Sequence, residues 1–141
     1  FSFAKFTGQE SEDQRERIRK DPPDIVLTNY MMLELIMTRH GERSLRENLA
    51  EHLKYLVFDE LHTYRGRQGA DVSLLIRRIR AWVRRKRPLD EVLCLGTSAT
   101  MSTEGTLSEQ KGKVAEVAGT IFGQRVTPDQ VIIETLEPST A

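Results

Sequence analysis

The chain has one cysteine, Cys94, and no excess of either charge, since 21 Lys and Arg balance 21 Asp and Glu over 141 residues. A lone cysteine forms neither an internal disulfide nor a four-ligand zinc site, which excludes disulfide scaffolds and cysteine-type zinc modules. It points to a reducing compartment, and a cytoplasmic location is the expectation. No apolar run approaches the roughly eighteen residues that read as a membrane span. An initiator Met and a basic-then-apolar leader are also missing, so the chain reads as a fragment. There is no internal repeat, no low-complexity tract and no long linker, and the length suits one domain. Hydrophobic residues at 38% are enough for a modest core.

The balanced charge is unevenly spread. Between Arg65 and Arg87 stand nine basic residues and a single acid, Asp71. Such a cluster can mark a nucleic-acid surface, but on a helix it more often makes a solvated face. The arginines from Arg77 onward are expected to face solvent or a neighbouring domain.

Short β-type runs alternate with helical stretches, which predicts an α/β fold. Ile25–Thr28, Tyr55–Phe58, Val92–Leu95 and Val131–Ile133 are continuously apolar, as in parallel strands buried on both faces. The charged stretch Glu10–Lys20 predicts a helix ending before Pro22-Pro23. Tyr30–Arg39 carries Met32, Leu33, Ile36 and Met37 at helical spacing. In Ala70–Arg85, Val72, Leu75, Ile76, Ile79, Trp82 and Val83 repeat every three or four residues, which puts Trp82 in the core. A last helix is expected over Ser108–Phe122 with Gly123 ending it, although Gly112 and Gly119 lie inside it.

Two strand ends carry candidate chemistry. Tyr55–Phe58 runs directly into Asp59-Glu60-Leu61-His62, at the strand's carboxyl end, where open α/β sheets bind ligands. Burying two adjacent carboxylates is costly unless a cation or donors compensate, which suits a metal held by one acid and a water activated by the other. The alternative is a helix-start acid at Asp59 with Glu60 facing solvent. Val92–Leu95 ends in Gly96-Thr97-Ser98-Ala99-Thr100, whose hydroxyls can bond a neighbouring acid or histidine or simply cap a helix.

Taken together and in this order, these segments resemble motifs II and III of the superfamily 2 helicases, the DEAD/DEAH-box group. Asp59-Glu60-Leu61-His62 corresponds to the DExH box and Ser98-Ala99-Thr100 to the SAT motif. Thr28-Asn29-Tyr30-Met31-Met32-Leu33 resembles the motif Ib region, and Thr7-Gly8 the small-residue turn between motifs Ia and Ib. The continuation Thr63-Tyr64-Arg65-Gly66 is similar to bacterial DExH helicases related to DNA-repair and phage-defence enzymes. The resemblance implies a partial RecA-like parallel sheet with flanking helices, the latter part of the first lobe, reaching from Thr7 to about Leu136. It implies ATP and Mg2+ as cofactors, with Asp59 holding the metal through water, Glu60 polarising the attacking water, and His62, Ser98 and Thr100 coupling hydrolysis to movement. Thr28, Asn29 and Gly8 would meet nucleic-acid phosphates, and Tyr64, Arg65 and Arg67 are secondary nucleic-acid candidates. DNA is preferred over RNA as the partner.

The chain has no Gly-x-x-x-x-Gly-Lys-Ser/Thr loop: its only Gly-Lys pair, Gly112-Lys113, is followed by Val114 and has Leu107 where the first glycine belongs. An adenine-selecting glutamine segment and the arginine-bearing motif VI are missing as well. The expectation is therefore an incomplete domain over residues 1–141 that is inactive alone, its other partners being the missing N-terminal part and the second RecA-like lobe. In that fold the Walker strand lies beside Val92–Leu95, so its loss predicts an exposed edge and self-association. The competing readings are a non-catalytic interaction module with a helicase-like shell and a metal-dependent phosphohydrolase. The latter has too few ligands in Asp59, Glu60 and His62.

Overall fold

The structure is a computed structural model that describes residues 1–88, 91–98 and 105–133. Its strands are β1 (Phe3–Phe6), β2 (Ile25–Thr28), β3 (Tyr55–Phe58) and β4 (Leu93–Gly96). Its α-helices are α1 (Glu12–Lys20), α2 (Tyr30–Thr38), α3 (Arg43–His52), α4 (Gly66–Lys86) and α5 (Leu107–Phe122). β1 pairs with β2 in parallel, Phe3 opposite Ile25 and Phe6 opposite Thr28. β3 pairs with β4, and the bonds from Leu93 N–H to the Lys54 carbonyl and from Thr97 N–H to the Phe58 carbonyl advance in one direction along both strands. Parallel strands joined through helices make the partial RecA-like α/β fold. Among the described residues no helix is long and apolar enough to cross a membrane.

The chain divides into two compact units. The first comprises Phe1–Leu56 and Leu75–Leu93, the second Val57–Leu74 and Cys94–Ala141. In the first, Phe6, Ile18, Ile36 and Leu45 form a buried cluster with Ala4, Val26, Met32, Leu33 and Leu49 packed on it. The capping box of Ser11 and Gln14 starts α1, with Glu12 and Asp13 at its positive end and Arg17, Arg19 and Lys20 at its negative end, the arrangement the helix dipole favours. Arg19 reaches across to the buried Glu42 at 2.8 and 3.0 Å and to Glu12 at 2.6 Å. A buried carboxylate needs such a partner, because burial without one costs several kcal/mol.

The basic half of α4 is tied into this unit. Arg78 pairs with Glu34, Lys86 with Glu47 at 2.9 Å, and Arg87 donates to the Ala50 and Leu53 carbonyls at 3.2 and 2.6 Å, at the end of α3. Trp82, expected in the core, is half-buried, with the Arg46 and Arg85 guanidiniums 5.4 and 5.9 Å from its ring centre.

In the second unit Phe58 meets Phe122 at 5.9 Å and Tyr64 edge-on at 6.1 Å, while the Ser73 hydroxyl donates to the Thr120 carbonyl at 3.1 Å. Thr106 and Glu109 form the capping box of α5, and Gly123 ends it in the left-handed conformation. The two interior glycines differ. Gly112 faces open space, whereas a Cβ at Gly119 would stand 3.0 Å from the Gln124 carbonyl oxygen. Gly119 lets the chain fold back over the end of the helix.

Three expectations are corrected. Val131–Ile133 is not a strand: the preceding turn over Pro128–Gln130 engages the Val131 N–H, Val131 is buried, and Ile132 points outward. Phe3–Phe6, not among the expected strands, is one. The strands are also not buried on both faces. Leu56, Phe58 and Cys94 are buried, but Tyr55, Val57, Leu93 and Leu95 are each more than half exposed, so the described helices cover one face only.

Ile76 is 1% exposed and Leu74 is 60% exposed. Ile76→Ala should therefore cost about 2–5 kcal/mol in urea unfolding, and Leu74→Ala within about 0.5 kcal/mol. Gly112→Ala should stabilise by about 0.5–1 kcal/mol, whereas Gly119→Ala should destabilise, because backbone must move to admit its methyl.

Candidate active site and nucleic-acid interface

The box follows from how β3 ends. After Phe58 the chain turns through Asp59 and Glu60 into a 3-10 turn over Leu61–Thr63. Glu60 is the one described non-glycine residue with positive φ, at 52°. A side-chain-bearing residue adopts that conformation at a cost of order 1–3 kcal/mol, and such strain collects at functional sites. Buried Leu61 anchors the turn, and both the N–H and the hydroxyl of Thr63 donate to the Glu60 carbonyl at 2.8 Å.

Thr97, just past β4, locks this segment in place. Its N–H donates to the Phe58 carbonyl at 2.9 Å, its carbonyl accepts from Leu61 N–H at 2.8 Å, and its hydroxyl donates to Asp59 Oδ1. Asp59 Oδ1 also accepts the Glu60 N–H at 3.1 Å. Oδ2 is left without a hydrogen bond among the described residues. Gly96 permits the approach, since a Cβ there would lie 3.0 Å from Leu61 Cδ2 and 3.2 Å from the Phe122 ring.

One residue further, Ser98 Oγ lies 3.0 Å from His62 Nδ1, which is also 3.2 Å from Glu60 Oε2. Nδ1 can accept from the serine or, when protonated, donate to the glutamate. Asp59, Glu60, His62, Thr97 and Ser98 thus form one connected group. Ala99 and Thr100 lie outside the described residues. Asp59 and Glu60 are both exposed, not buried as a pair. The reason is that they leave the strand on a surface turn, so no buried counter-ion is required.

Tyr64 is half-buried against Phe58, and its hydroxyl is pushed above the usual phenol range by burial and by the Asp59 charge. Arg65 and Arg67 are exposed beside it.

The remaining candidates meet at the ends of β1 and β2, which the parallel register sets side by side. The Thr28 hydroxyl donates to the Phe6 carbonyl at 2.7 Å. Asn29 caps α2 by accepting Met32 N–H at 2.9 Å, and its amide donates to the Thr7 carbonyl at 3.3 Å. Gly8 follows with φ 96°. The sequence marked Thr97 only as one hydroxyl of its turn and did not mark Glu10, which binds the Thr7-Gly8 turn. The adjacency of Thr97 to Ser98 was the available signal for the first, and the Ser11 cap, which frees Glu10 from the helix, for the second.

A strand-end acid pair bonded to a second strand's hydroxyls, in a partial RecA-like fold, fits a domain of helicase type. The chain belongs to the DEAD/DEAH box helicase family, which matches residues 2–107. It is 40% identical over 96 residues to the Druantia protein DruE of Escherichia coli (strain UMEA 4076-1), covering 63% of this chain and 5% of that one. It is 38% identical over 105 residues to the ATP-dependent helicase YprA of Bacillus subtilis (strain 168), covering 74% and 13%. The DUF1998 helicase MrfA, in a crystal structure bound to DNA, superposes with a TM-score of 0.64 at 31% identity over 88% of this chain and 15% of that chain. The chain therefore spans a small part of each of these proteins.

Proposed function

We propose that this chain is the hydrolysis and coupling segment of a longer ATP-dependent helicase or translocase acting on DNA. The observation that carries the reading is the connected group in which Asp59 is held by Thr97 and His62 touches both Glu60 and Ser98. A catalytic pair alone would need no such wiring to a second strand. Magnesium-bound ATP would supply a γ-phosphate open to attack by water. The exposed Asp59, with Oδ2 directed by the hold on Oδ1, is suited to receive the ion's water shell. Glu60, exposed beside it, is suited to take a proton from the attacking water. His62 with Ser98, and Thr100 beyond the described residues, passes the state of that site to the rest of the motor.

The phosphate cradle and second lobe belong to other parts of the longer protein, so this chain alone does not turn over ATP. At the nucleic-acid side, Thr28, Asn29 and Gly8 form the primary contact region, and Tyr64, Arg65 and Arg67 the secondary one. The preference for DNA draws on the DNA-bound MrfA structure, and a DNA-repair or phage-defence setting on the similarity to MrfA and DruE.

In the full-length protein, Glu60→Gln should lower DNA-stimulated ATP hydrolysis by about a hundredfold or more while leaving ATP binding intact. Retained turnover would sink the assignment of the base. Thr97→Val keeps shape and backbone bonds but removes the hold on Asp59. It should cost roughly tenfold in turnover, the scale of one hydrogen bond to a charged group, and Thr97→Ser should recover most of it. The isolated chain, with its half-covered strands, is proposed to self-associate. Sedimentation at micromolar concentration should show a concentration-dependent average mass, and a single monomeric species would contradict this.

A further inference from the structure

The turn after β1 already holds an anion, supplied from within the chain. Glu10 Oε2 accepts the Thr7 and Gly8 N–H groups at 2.8 and 2.9 Å, and its Oε1 accepts the Thr7 hydroxyl at 2.7 Å. Three donors converging on two oxygens of one centre is the arrangement a phosphate asks for. The same bonds, the Thr7 hydroxyl foremost, hold the Glu10 carboxyl down to about 2.

The donors do not depend on Glu10 for their direction. The Thr28 hydroxyl donates to the Phe6 carbonyl at 2.7 Å, and the Asn29 amide donates to the Thr7 carbonyl at 3.3 Å. The two peptide units that carry the Thr7 and Gly8 N–H groups are thus anchored from behind by side chains at the end of β2 and at the α2 cap. Glu10 itself precedes the Ser11 cap, so its side chain can leave without unwinding a helical turn. Lys5 and Arg17 line the same open groove as Glu10, which gives the turn the cationic flanks that a polyanion needs.

We infer that Glu10 stands in a phosphate subsite of the Thr7-Gly8 turn, and that a backbone phosphate of a DNA strand binds there by displacing it. The inference rests on the nucleic-acid reading above and adds a gate to it. A tethered carboxylate competes at the high effective concentration of an intramolecular ligand. A free phosphate ion cannot match that, whereas a strand whose neighbouring phosphates are already held can. The turn therefore discriminates polymer from monomer anions.

The test uses the full-length protein, a labelled mixed-sequence single-stranded oligonucleotide and fluorescence anisotropy over a range of salt. Glu10→Gln should tighten binding by about three- to tenfold and steepen the salt dependence by about one phosphate contact. Glu10→Asp, whose shorter reach cannot satisfy hydroxyl and amides together, should gain a smaller part. Asp13→Asn removes the same charge from an exposed position of α1 and controls for general electrostatics. Unchanged or weaker binding in both Glu10 variants makes the carboxylate a brace and overturns the gate. Equal gains for Glu10→Gln and Asp13→Asn overturn it as well. If wild type and variants all fail to bind DNA, the nucleic-acid reading falls and this inference with it.

Discussion

The main chain of Thr97 is the constraint on which the site depends. It uses both its N–H and its carbonyl on one segment, Phe58 to Leu61. The height and side of the box relative to β4 are thereby fixed at once. Successive side chains then diverge, Thr97 to Asp59 and Ser98 to His62. Each neutral bond contributes only about 1 kcal/mol to stability. Their larger effect is geometric, because two bonds around one residue leave little freedom to shift the acid pair relative to the hydroxyls. The absence of a side chain at Gly96 is what lets Leu61 and Phe122 close on the strand beneath.

Much of this was legible in the amino-acid order. Continuous apolar runs marked β2, β3 and β4, helical spacing marked α2 and α4, Gly123 marked the end of α5, and the acid pair and hydroxyl triplet at strand ends marked the candidate site. What escaped did so for identifiable reasons. β1 has Lys5 among its four residues, too mixed to announce a strand without its partner β2. α3 is charged and takes its place through contacts distant in sequence, such as the Arg19–Glu42 pair beside its start. Val131–Ile133 has strand composition but a turn immediately before it, and composition does not report whether a neighbouring strand is available. The left-handed backbone at Glu60 arises from three-dimensional closure, which no local pattern encodes.

The arginine run of α4 shows how linear charge overstates surface charge. Read along the chain it is a strong positive block, yet in the fold Arg78, Lys86 and Arg87 are engaged with acids or with carbonyls at the end of α3. Arg46 does the same for the last turn of α2, donating to the Ile36, Met37 and Arg39 carbonyls at 3.3 Å. Arg87 and Arg46 thereby neutralise the negative dipole ends of α3 and α2. Basic residues thus serve first as internal fasteners of the helical layer, and the nucleic-acid contacts are sought at the strand ends instead.

The positive φ of Glu60 has an evolutionary corollary. Under the role proposed for Glu60, a residue there carries both a chemical duty and a backbone penalty, and the two select for different side chains. While hydrolysis is under selection the penalty is tolerated. In a descendant that had lost the need for it, the same position would drift toward glycine or asparagine, which relieve the backbone, ahead of any change at buried Leu61. Glycine or asparagine following a preserved Asp59 would therefore be the mark of a motor retired to a scaffold.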